Sequence, residues 1–183
     1  LVATGAISYA DGLRLVRERG RLMKEAGEQS PGMMAAILGL QDEQVAAVCA
    51  ECRTQGGIVQ LANDNCPGQV VISGDEIALT LAHDLLENAG ARKVIRLAVS
   101  IASHSPLMVP AKDRLNDALA VASLNDPHIP VVGNVSAKPL SSTEEIRADL
   151  SAQLTSRGRW TESIRWMVHS GVDTFIEMGS GTV

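Results

Sequence analysis

Between residues 32 and 99 the hydrophobic pattern of this chain switches back and forth between a two-residue and a helical period, and that alternation limits the folds open to it. The apolar run 32–40 reads as a strand. Residues 42–52 read as a helix, because Val45, Val48, Cys49 and Cys52 fall on one side at helical spacing. Residues 58–61 and 69–73 read as strands, joined by Asn63-Asp-Asn-Cys-Pro-Gly68, whose density of Asn, Asp, Pro and Gly is turn chemistry. A helix over 75–88, stopped by Gly90, and a strand over 93–99 complete the series. Strand-helix-strand-strand-helix-strand is the order of a ferredoxin-like unit.

The flanking segments differ. Residues 1–6 read as a helix end with Gly5 near its stop. Ser8-Tyr-Ala-Asp11 resembles a capping box with Asp in the acidic place, opening a helix to about residue 26. Its expected buried stripe is Leu13, Val16, Gly20 and Met23, with Arg19 beside it. Beyond residue 105 the pattern predicts a helix over 106–122, a short strand over 129–132 and a helix from the capping box Ser142-Thr-Glu-Glu145 to residue 154. A helix over 161–169, a strand over 173–178 and a turn at Gly179-Ser-Gly181 follow. This alternation predicts a parallel α/β sheet. The expected organisation is one larger α/β body from residues 1–31 and 101–183, with residues 32–100 inserted as a smaller subdomain.

Charged residues make up 20% and hydrophobic residues 45% of the 183, the composition of a globular chain. Aromatics are only 2%, so Leu, Ile, Val, Ala and Met must build the core. A net charge of −5 argues against a nucleic-acid partner. No apolar run approaches the roughly 20 residues of a membrane span. No stretch has the layout of a signal peptide, and three cysteines are an odd number for a disulfide framework; both point to the cytoplasm.

One titratable group stands out. His104 lies in Val99-Ser-Ile-Ala-Ser-His-Ser-Pro-Leu-Met-Val109, a run with no other ionisable side chain, where a strand gives way to a helix. Such a turn presents an imidazole at a sheet edge, which suits a general base, although a lone histidine is more often structural. Arg19 is one of several arginines on its helix. A solvated face explains it simply, but a guanidinium beside an apolar stripe can also grip a carboxylate with two parallel hydrogen bonds. Cys49-Ala-Glu-Cys52 has the spacing of a redox or metal pair, yet it sits mid-helix and reads as two buried residues. No metal site is expected. No serine stands in a G-x-S-x-G elbow, so a nucleophile for His104 is not evident.

With these residues in view, the chain resembles the malonyl-CoA:acyl carrier protein transacylases along its whole length. The matching stretches are Leu15-Val-Arg-Glu-Arg-Gly20, Met34-Ala-Ala-Ile-Leu-Gly39, Asn63-x-Asn-x-Pro-Gly-Gln-Val-Val-Ile-Ser-Gly74 and Val99-Ser-Ile-Ala-Ser-His-Ser-Pro-Leu-Met108. Pro130-Val-Val-Gly-Asn-Val135, Gln153-Leu154 and Phe175-Ile-Glu-Met-Gly179 continue the series. The resemblance implies an α/β-hydrolase-like body with an inserted ferredoxin-like subdomain. It implies ping-pong transfer of malonyl from coenzyme A to the phosphopantetheine thiol of acyl carrier protein in fatty-acid synthesis, with the coenzyme A thioester as substrate and no cofactor.

By the same resemblance His104 activates a serine, Arg19 holds the free malonyl carboxylate, Gln153 marks the backbone carbonyl that orients the histidine, and Asn63 lines the pocket. Ser103, small and next to His104, matches a position tied to malonyl-against-methylmalonyl choice, and malonyl is favoured. The sequence also departs from the family. Its serine elbow falls upstream of Leu1, Ser180 replaces Pro and Cys66 replaces Ser, so we expect a piece of a longer protein that does not turn over alone. The acyltransferase domain of a polyketide synthase, or a non-catalytic protein that binds an acyl carrier, are the alternatives.

Overall fold

The computed structural model describes residues 1–178, and its fold is α/β. Helix α1 (Tyr9–Gln29) starts at Ser8, whose hydroxyl accepts from the Asp11 backbone N–H. Strand β1 (Met33–Leu38), helix α2 (Asp42–Thr54), strands β2 (Val59–Cys66) and β3 (Gln69–Gly74), helix α3 (Glu76–Asn88) and strand β4 (Lys93–Arg96) follow in the order read from the sequence. Asp75 caps α3 by accepting from Ala78 N–H at 2.7 Å, and its other oxygen accepts from Ile58 N–H at 2.5 Å. A short 3₁₀ turn (Pro106–Met108) leads into α4 (Val109–Val121). Then come β5 (Val131–Val132), β6 (Pro139–Leu140), α5 (Thr143–Ala152), β7 (Gly158–Arg159) and α6 (Trp160–His169).

The strands lie in the order β4-β1-β3-β2-β7. All pairings are antiparallel except β2 with β7. One face carries Ala35, Ile37, Val70 and Ile72 against Val45, Cys49 and Cys52 of α2 and Leu79, Ala82 and Leu86 of α3. A second core joins Leu22 and Ala26 of α1 to Met108, Ala111, Leu115 and Leu119 and to Leu154. No described helix is long and apolar enough to cross a membrane.

Five expectations are corrected. The α1 helix is rotated from its expected setting: Leu13 is 53% and Val16 68% exposed, and Leu15, Arg19, Leu22 and Ala26 form the inward stripe. The face was chosen by α4, which offers Ala111 and Leu115 to Leu22 and Ala26. Residues 63–66 belong to β2, because the tight turn needs only Pro67 and Gly68 and the bulges in β2 absorb the surplus polar residues. The parallel sheet expected after residue 105 is absent among the described residues. There β5 pairs antiparallel with β6 in a separate hairpin, and the one parallel pairing spans two residues of β7. Residues 173–178 form no strand: no described segment offers them a ladder, and Ile176 is 79% and Met178 89% exposed. Residues 1–6 are turns rather than a helix end. The Gly179–Gly181 turn and Ser180 lie outside the described residues.

Cys49 and Cys52 are buried in the helix-facing core, and burial pushes the Cys49 thiol up to about 12. Cys66 is exposed. A disulfide-exchange reagent at pH 8 should therefore label one thiol in the folded protein and three after denaturation; rapid labelling of a second native thiol would contradict this packing. Ile72→Ala, at a fully buried site on β3, should cost about 3–4 kcal/mol in a denaturant titration.

Candidate active site

The loop that carries His104 is pressed against the start of the sheet. A Cβ at Gly32 would stand 2.5 Å from the Ala102 Cβ and 2.8 Å from the Gly74 carbonyl, so only glycine admits so close an approach. Ser105 then ends the loop: its buried hydroxyl donates to the Ala102 carbonyl at 2.7 Å and accepts from Leu107 N–H at 3.3 Å. Between these anchors His104 takes φ of 61°, the left-handed region that costs a residue other than glycine about 1 kcal/mol or more. Strain of this kind persists only where surrounding contacts over-determine it.

Those contacts come from a segment some fifty residues away. The His104 Nδ1 lies 2.8 Å from the Gln153 carbonyl and 3.0 Å from the Ser156 carbonyl. A carbonyl oxygen can only accept, so Nδ1 carries the hydrogen and Nε2 keeps its lone pair. The structure thus holds the imidazole in the tautomer that a base needs. Burial lowers the His104 pKa below the ordinary 6.5, the two carbonyls oppose that shift, and the Arg19 charge lowers it further. The imidazole is neutral at pH 7.

Arg19 is half-buried, and burial also weakens its hold on its proton. Its Nε is buried without a hydrogen-bond partner, and Arg19 makes no ion pair among the described residues. A cleft of about 510 Å³ opens beside it, with Gln153 on its wall and Leu15, Leu115, Leu119 and Leu150 around it. An unpaired guanidinium in an apolar cleft is a standing electrostatic deficit that a carboxylate would remove.

The structure brings Arg19, His104 and Gln153 together. Asn63 sits apart from that cleft, on β2 opposite Gly158, where its Nδ2 is 2.8 Å from the place a Gly158 Cβ would take. Ser103 is half-buried next to His104. Three residues of this neighbourhood escaped the sequence reading: Gln60, Thr155 and Ser156. Gln60 was detectable as a polar residue inside an apolar strand; the other two act through backbone carbonyls, which leave no side-chain signature.

An acyl transferase domain model matches residues 1–180. The chain belongs to the acyl transferase domain family. It is 44% identical over its whole length to the malonyl CoA-acyl carrier protein transacylase of Bacillus subtilis and 42% identical to that of Escherichia coli K12. It spans 58% and 59% of the lengths of those two proteins. An acyl carrier protein S-malonyltransferase structure from Vibrio cholerae superposes with a TM-score of 0.94 at 42% identity, over 99% of this chain and 59% of that one. A malonyl-transacylase solved in complex with a type II PKS acyl-carrier protein superposes at 0.90 and 42% identity, over 94% of this chain and 55% of that one.

The burial of His104 fixes the sign of its pH dependence. The native imidazole resists protonation more than the unfolded one, so as pH falls below 6.5 the unfolded state takes up protons first and folding stability declines until the native group is protonated too. An NMR titration of the His104 ring should show a midpoint below 6.5; a midpoint at or above that value would refute the assignment.

Proposed function

We propose that this chain is the carboxylate-binding and base-bearing part of a malonyl-CoA:acyl carrier protein transacylase acting in cytoplasmic fatty-acid synthesis. The observation that carries the reading is the unpartnered Arg19 guanidinium in an apolar cleft beside a neutral imidazole of fixed tautomer. Whole-length identity of 42–44% to proteins named for that reaction supports it. A relative solved in complex with an acyl-carrier protein supports the same class of partner. Residues 1–31 and 101–183 form the larger body in this reading and 32–100 the inserted subdomain.

In the proposed mechanism His104 Nε2 takes the proton of a serine hydroxyl supplied by the rest of the acyl transferase. That oxygen attacks the malonyl thioester carbonyl, and coenzyme A leaves as its thiol, with the proton returned by the imidazolium. The Nδ1–H stays on the Gln153 and Ser156 carbonyls throughout, which stabilises the imidazolium as it forms. The phosphopantetheine thiol of the carrier protein then attacks the acyl-serine by the same proton path in reverse. Arg19 grips the free carboxylate of malonyl with paired, charge-assisted hydrogen bonds. An acetyl group leaves the guanidinium unpaired, so it is rejected by the cost of desolvating a charge for no partner. The resemblance alone assigns Asn63 to the pocket wall; it stands on the sheet face that fronts the His104 loop, apart from the Arg19 cleft.

A competition between malonyl-CoA and acetyl-CoA tests this reading in the full-length gene product. Arg19→Ala should lower kcat/KM for malonyl transfer by about 2–3 kcal/mol, some 30- to 150-fold, while acetyl transfer holds or rises. Unchanged malonyl preference in that variant would refute the carboxylate clamp.

A further inference from the structure

His104 and the carbonyls that hold it belong to different stretches of chain, and something must set the distance between them. Residues 155–157 cross the edge of the sheet beside β2, and β2 holds them from both faces. On the face away from α2 and α3, the Gln60 side-chain amide donates one hydrogen to the Thr155 carbonyl at 3.0 Å and the other to the His104 carbonyl at 2.6 Å. On the helix side, Arg157 pairs with Asp42 of α2 and lies 3.4 Å from the buried Asp64 of β2. Asp64 in turn accepts from the Thr161 hydroxyl. Ser156, whose carbonyl receives the imidazole N–H, is thus flanked by two anchored residues.

We infer that Gln60 is a positioning residue for the base, its one amide clamping the backbone of His104 to the segment that carries the imidazole's acceptors. This rests on His104 being the base of the proposed transfer. Gln60 touches neither the imidazole nor any reacting atom in this scheme. It spans residues 44 positions apart on one side and 95 on the other, and it uses both hydrogens of one –NH₂. A shorter side chain cannot reach both carbonyls at once, and an apolar one offers them nothing. It also holds the carbonyl of a residue in the left-handed region, where the backbone would otherwise relax. Loss of the clamp frees the 153–156 carbonyls from Nδ1, and the imidazole then drifts to a mixture of tautomers in which the Nε2–H form cannot accept a serine proton.

The test combines ring ¹⁵N NMR with kinetics, on Gln60→Leu and on the isosteric Gln60→Glu. The protein has four histidines, so the His104 signals are assignable by a single substitution. Unsubstituted protein should show His104 wholly as the Nδ1–H tautomer at neutral pH; a dominant Nε2–H form overturns the proposal without any variant. In each variant that retains the native melting transition, the Nε2–H tautomer should appear. In the full-length gene product kcat should fall roughly tenfold or more, with KM for malonyl-CoA within about twofold, since only proton transfer is impaired. An unchanged tautomer in a folded variant, or an unchanged kcat, overturns the proposal. The tautomer readout needs no turnover. A tautomer shift in a protein that never transfers malonyl therefore supports the clamp while removing the functional reading.

Discussion

The Nδ1–H of His104, shared between the carbonyls of Gln153 and Ser156, is the contact around which the candidate site is built. It decides which imidazole nitrogen is free, and it fixes the ring plane relative to the cleft. It depends on the close packing that Gly32 permits under Ala102, on the Ser105 turn that follows, and on the end of α5 delivering Gln153 at its C-terminal cap. None of these elements is strong alone. Together they hold a histidine at positive φ that an isolated loop would abandon.

Arg19 and His104 share a neighbourhood and are both able to carry positive charge. Burial of the imidazole is the main cause of its lowered proton affinity, and the field of the Arg19 guanidinium adds to it. In the proposed reaction a bound malonyl carboxylate cancels that field. The imidazole then gains proton affinity when a charged acyl group arrives, and an acetyl group gives no such gain. The same ion pair would serve selection twice, in binding and in the basicity of the catalytic group, which a purely steric pocket cannot do.

Much of this was legible in the sequence, for identifiable reasons. The order of elements from β1 to β4 was readable, apart from the 63–66 end of β2, because α2 and α3 each bury a regular stripe. The Ser142 capping box was readable because its chemistry is local. The face of α1 was not, since Leu13 and Val16 are as apolar as Leu15 and Leu22, and only the partner α4 decides between the two stripes. The 173–178 segment misled because an apolar, β-rich composition states a preference that is realised only where a neighbouring strand supplies hydrogen bonds. At the site, the side chains with chemistry of their own were visible: His104 as an isolated imidazole, Arg19 as a guanidinium near an apolar stripe. The carbonyls of Thr155 and Ser156 were not, because any residue type can present one.

The bulge in β2 shows how far local irregularity shapes such a site. Gln60 pairs with Ser73 and Leu61 with Ile72, but Asn63, not Ala62, stands opposite Val71. In a regular strand Asn63 would share the face of Leu61, towards the core under α2 and α3, where its amide would lack partners. The extra residue moves it to the face of Gln60, which fronts the His104 loop, while Asp64 opposite Val70 turns to the helix side and meets Arg157. One inserted residue therefore decides which face each of two consecutive polar residues takes. The dense polar run 63–66, which looks like a loop, is tolerated inside a strand because the bulge keeps Asn63 off the apolar helix-facing core and turns Asp64 towards Arg157 and Thr161.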